Sequence, residues 1–98
     1  MAQDRFIYFS DVPKREYLER SLRDYFQTSA KVAWKSDRFF ITFDSRSEGT
    51  PIHRDERWIE VWIGSDCVDV MTREQDEFVN AIAGGLAKRI ARQFSGRI

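Results

Sequence analysis

With a single cysteine, Cys67, the chain cannot close an internal disulfide, so nothing marks it as a stapled secreted scaffold. One histidine, His53, leaves little material for a histidine-rich metal site, and no Cys/His spacing suits zinc. Net charge of one sign is also missing. Sixteen basic residues balance 16 acidic ones, which excludes a strong long-range field for nucleic acid or anionic lipid and leaves room only for a local basic patch. The apolar run Phe6-Ile7-Tyr8-Phe9 is too short for a signal-peptide core, and no stretch approaches membrane-crossing length. A cytoplasmic location is the expectation. A Gly-rich phosphate cradle is absent too, so neither cofactor nor metal is expected.

What the chain does have is core material. Apolar residues make up 42 % of its 98 positions, including 8 Phe, 3 Trp and 3 Tyr. That is enough to offset chain entropy in one α+β domain spanning residues 1–98. Twelve of the cations are Arg and four are Lys. This bias mildly favours bidentate interface contacts, although a GC-rich coding sequence would produce it as well.

The pattern predicts strand, helix, four strands, helix. Residues 6–9 read as a short strand, and Ser10-Asp11-Val12-Pro13 as a helix start. A helix over about 14–27 carries Leu18, Leu22, Tyr25 and Phe26 at helical spacing, with Glu16–Arg20 and Glu19–Arg23 as i, i+4 pairs. Strands follow at 31–35, 38–44, 57–63 and 67–71. Phe39, Ile41 and Phe43 alternate with Phe40 and Thr42, and Ile59, Val61 and Ile63 alternate with Trp58, Glu60 and Trp62. Thr72-Arg73-Glu74-Gln75 fits a capping box opening a helix over 74–94, striped by Phe78, Ile82, Leu86, Ile90 and Phe94 and flanked by Val79 and Ala83. The expected architecture is a two-layer α+β sandwich of β-α-β-β-β-β-α order. Its sheet is mainly antiparallel, with both helices on one face. A parallel crossover through the first helix would place the first strand inside the sheet.

Two helices cover one face of a five-stranded sheet, and the aromatic residues exceed what that face holds. Trp58, Trp62 and Phe40, with Glu60 between the tryptophans, and either Phe6 with Tyr8 or Ile7 with Phe9, belong to the other side. Such a patch points to a partner-binding face, and Trp is a favoured anchor there. Strong sheet curvature, or the segment 44–57 folding over the strands, would bury it instead. That segment is long for a hairpin loop and gathers Arg46, His53, Arg54 and Arg57. Those residues suit an anion or partner contact, and equally a solvated loop. Gly84-Gly85 inside the last helix fits close packing onto the sheet or first helix, or a kink or helix–helix dimer contact. Cys67, between Asp66 and Asp69, is a poor nucleophile.

Without the first strand, the order resembles double-stranded RNA-binding domains. However, Glu74-Gln75-Asp76-Glu77 stands where their basic run would lie and would repel phosphate. The order is also similar to that of small bacterial secretion chaperones, in topology alone. The leading expectation is a non-enzymatic protein-binding module of adaptor, chaperone-like or inhibitor type, homodimeric through its aromatic sheet face. One alternative is a nucleic-acid-binding domain using arginines and exposed aromatics. Another is a small enzyme built on the His53 loop, where Ser45, His53 and Asp55 can be combined on paper without a nucleophile elbow.

Overall fold

The computed structural model describes residues 3–43, 57–73 and 77–98. The elements run β1 (Gln3–Tyr8), α1 (Arg15–Phe26), β2 (Ala30–Lys35), β3 (Arg38–Phe43), β4 (Arg57–Ile63), β5 (Cys67–Thr72) and α2 (Glu77–Gln93). All five strands form one sheet in the order β1-β5-β4-β3-β2, and every neighbouring pair is antiparallel. The expected α+β architecture and element order are therefore present.

Alternation assigns one face of each strand to the helices. Ile7, Val32, Phe39, Ile41, Ile59, Val61, Val68 and Val70 are buried on that side. They join Leu18, Leu22 and Phe26 of α1 and Val79, Ala83, Leu86, Ala87 and Ile90 of α2 in a single apolar cluster. α2 lies over β1, β5 and β4, and α1 over β2. The two helices meet where Tyr25 approaches Gly85: its hydroxyl would stand 3.2 Å from a Cβ added there. Gly84 faces the sheet instead, with Arg5 Nε 3.9 Å from its own added Cβ. Close packing therefore accounts for Gly85, against α1, while at Gly84 a side-chain carbon would make only an ordinary contact.

Four local expectations shift. β1 is not inside the sheet; it occupies the edge opposite β2, paired with β5. Antiparallel pairing with β5 is slightly stronger per residue than a parallel pairing with β2 would be. The Ser10 or Asp11 cap is not made. Lys14 is the N-cap, in extended backbone after Pro13, and its carbonyl accepts from the Tyr17 and Leu18 amides. Thr72, read as opening a capping box, ends β5 and its hydroxyl donates to Asn80 Oδ1 at 2.7 Å, while Glu74 and Gln75 of that box lie outside the described residues. The buried stripe of α2 runs through Val79, Ala83, Leu86 and Ile90, while Phe78 is exposed at its margin against Phe43.

Among the described residues the chain turns sharply at three non-glycine positions with positive φ: Gln27 after α1, Ser36 between β2 and β3, and Ser95 after α2. Beyond Ser95, Gly96 lies so close to Ile7 and Phe9 that a Cβ there would come within 2.6 Å and 2.5 Å of them. Arg97 then pairs with Tyr8 through two backbone hydrogen bonds, at 2.7 and 2.8 Å, on the outer side of β1.

Candidate functional site

The face turned away from the helices can be written as rows across the sheet. One row reads Phe6, Asp69, Trp62, Arg38, Lys35 from β1 to β2. The next reads Asp4, Met71, Glu60, Phe40, Ala33. Thr42 and Lys31 continue from Trp58 in a third. Trp58, Glu60, Trp62 and Phe40 therefore share one face, and the first-strand pair that joins them is Phe6 with Tyr8. Among the described residues no element packs over this side.

Its centre is a carboxylate. Glu60 lies on the outer face of β4 yet is only 1 % exposed. Its neighbours two residues away on the strand, Trp58 and Trp62, fold their indoles over it. Trp58 Nε1–H donates to Oε2 at 3.0 Å and Trp62 Nε1–H to Oε1 at 3.2 Å. Arg38 Nη1 donates to Oε1 at 3.3 Å, and Arg73 Nε to Oε2 at 2.7 Å. The Arg38 guanidinium also stacks 3.6 Å from the Trp62 ring centroid and 5.6 Å from that of Phe40. Burial pushes the Glu60 pKa upward. Donors from Arg73, Trp58 and Arg38, together with the Arg73 charge, outweigh it and hold the group below the ordinary carboxylate value. The polar tips of both tryptophans are thereby satisfied within the chain, and their rings form a half-buried apolar floor.

Toward β1 the floor opens out. Phe6 and Tyr8 are 43 % and 47 % exposed and stack with ring centroids 6.3 Å apart. Beside them Asp69 accepts from the Arg5 amide at 3.2 Å. Burial, followed by the hydrogen bond and charge of Asp4, raises Asp69 to about 7, despite the opposing Arg5 bond. Toward β2 the face ends in Lys31 and Lys35, both exposed. The Cys67 thiol, opposite Tyr8, is pushed up by burial and by Asp66 and Asp69, which disfavours its nucleophilic form.

Of the loop candidates, Arg57 opens β4 opposite Phe43. Arg46, His53 and Arg54 lie outside the described residues. Among the described residues no group of His, Cys, Asp and Glu could hold a metal ion, and no helix is long and apolar enough to cross a membrane. The residues that sequence reasoning missed are Arg38 and Arg73, which clamp Glu60, and Asp4, which pairs with Asp69. Arg38 was within reach, since it alternates with Phe39 and shares the face of Phe40. Arg73 and Asp4 gave no signal, because their places depend on which strands become neighbours.

Comparison with protein-family models, with curated proteins and with solved structures finds no match for this chain.

Proposed function

We propose that this protein is a non-enzymatic protein-binding module whose docking surface is the open sheet face, and that a second copy of the chain is its partner there. The observation that carries this reading is the state of Glu60 and its donors. A face whose central polar groups are already paired can be covered at small desolvation cost, whereas unpaired groups would oppose burial. Around that satisfied centre stand Phe6 and Tyr8, large, exposed and stacked. Aromatic residues and Arg are the types enriched at interface cores.

The size of the face sets the strength to expect. Five strands about 4.8 Å apart and six residues long make a plane roughly 20 Å on a side. This is smaller than the ~800 Å² per partner of a standard stable interface. Association in the micromolar range, about −8 kcal/mol or weaker, is the matching expectation. Sedimentation velocity over a wide concentration range tests it. The sedimentation coefficient should rise with concentration, and Phe6→Lys should abolish the rise while leaving the melting curve in place. A strict monomer at millimolar concentration rejects the reading.

A further inference from the structure

From the charge layout of the open face, we infer that two copies stack face to face about a two-fold axis running along β4, so that the acidic β1–β5 margin of each covers the basic β2–β3 margin of the other. This inference rests on the docking reading above and adds to it the orientation and the contacting residues.

The strand order β1-β5-β4-β3-β2 has β4 at its centre. A two-fold axis lying between the copies and parallel to β4 places β4 on β4, β5 on β3, and β1 on β2. The chemistry of the face follows that symmetry. Asp4 and Asp69 stand on β1 and β5, with Arg73 past the end of β5 tied to Glu60; Lys31, Lys35 and Arg38 stand on β2 and β3, with Asp37 of the turn tied to Arg38. The aromatic floor of Trp58 and Trp62 lies on the axis itself. In the row containing Trp62, the stacked copies bring Asp69 over Arg38 and Phe6 over the alkyl stem of Lys35. In the next row Met71 comes over Phe40. A tilt of about 30° between packed sheets shifts the outer strands by one or two residues, and leaves the margin carrying Asp4 and Asp69 beside the margin carrying Lys31 and Lys35.

The alternative face-to-face dimer has its axis across the strands. It lays β2 on β2 and β1 on β1, setting Lys31 and Lys35 against themselves and Asp4 and Asp69 against themselves. Like charges brought together across an interface disfavour that arrangement. Two further observations agree. Asp4 lies next to Asp69 across the β1–β5 pair and its charge helps to raise the Asp69 pKa, an effect that a cation overhead would oppose. Lys31 and Lys35 make no ion pair among the described residues, so their charges remain available.

Charge-swapped chains decide the point. Asp4→Lys with Asp69→Lys makes one chain, and Lys31→Glu with Lys35→Glu makes the other. Each alone should self-associate roughly tenfold or more weakly than the unaltered protein. An equimolar mixture should recover association, because both margins are again opposite in sign. Sedimentation velocity at low salt reads all three, and circular dichroism melts show that each chain folds. If Asp69→Lys prevents folding, Asp4→Lys alone takes its place in the mixture, with a smaller recovery expected because Asp69 remains. A dimer whose affinity neither swap changes, or swapped chains that fail to recover on mixing, overturns the orientation while leaving the docking face standing. An unaltered protein that never dimerises overturns both.

Discussion

Two neighbours on one strand show how differently the sheet's faces are held. Val61 of β4 is fully buried among apolar groups, under α2 and opposite Val70 and Phe39. Glu60, one residue earlier, is buried almost as completely on the other side by two indoles and two guanidiniums. Apolar packing on the first face is non-directional, and its strength grows with area removed from water. The second is directional: four donors converge on two oxygens, and removing any one leaves a charge or dipole without its partner. The lesson is that burial alone does not mark a core. A carboxylate can be as hidden as a valine when its strand neighbours bend over it.

The contrast can be broken from either side. The largest expected effect is on the apolar face, where Phe39→Ala should lower stability by about 4 kcal/mol, measured by urea denaturation. A loss below 1 kcal/mol would mean that the helices are not what holds the sheet. Next comes Glu60→Ala, which strands two arginines and two indole N–H groups. A cost of about 3 kcal/mol is expected, at the low end for a broken buried pair because the arginines still touch water. Glu60→Gln should recover part of it by keeping an acceptor oxygen for one of the two indoles, and tryptophan emission should shift red most in the alanine variant. Gly96→Ala follows at about 2 kcal/mol, by overpacking against Ile7 and Phe9 without touching the polar face.

The smallest effect is one of slope, and here the two outer-face carboxylates have opposite signs. Glu60 is held below its ordinary value, so its contribution is present above the unfolded pKa and is lost as pH falls through the folded one. Asp69, raised to about 7, binds an extra native proton between the unfolded value near pH ~4 and that point, so stability declines as pH rises across this window. Asp69→Asn should flatten the decline in a denaturation series from pH 4 to 8 and leave the acid limb unchanged. A decline that persists in Asp69→Asn would assign it to another group.

How much of this was legible in the sequence follows from the range of each interaction. The run Arg57–Ile63 displays its two faces by alternation alone, and so the company of Trp58, Glu60 and Trp62 could be read directly. The capping details could not. Pro13 shifts the helix start to Lys14, and Thr72 is drawn into β5 by its pairing with Gln3. The edge position of β1 was beyond local reading as well, since both ends of the β2–β5 meander offer it a place. Asp4 meets Asp69 only after that choice is made, whereas Arg73 meets Glu60 once β4 and β5 have paired in register. Residues 44–56, where Arg46, His53 and Arg54 fall, lie outside the described residues.

The position of β1 also governs the order of events as the chain folds. Each of β2, β3 and β4 pairs with the strand that follows it, and such contacts close early. Arg5 must wait for Asp69, 64 residues further on. Gly96 and Arg97 are later still, although they pack on and pair with the far end of the same strand. During synthesis Phe6 and Tyr8 therefore travel as an unpaired aromatic segment until the meander is complete, the interval in which exposed strands are most open to wrong partners. Docking of β1 is then the late step, and refolding that slows sharply in Gly96→Ala, with the meander's tryptophan signal already native, would be its kinetic trace.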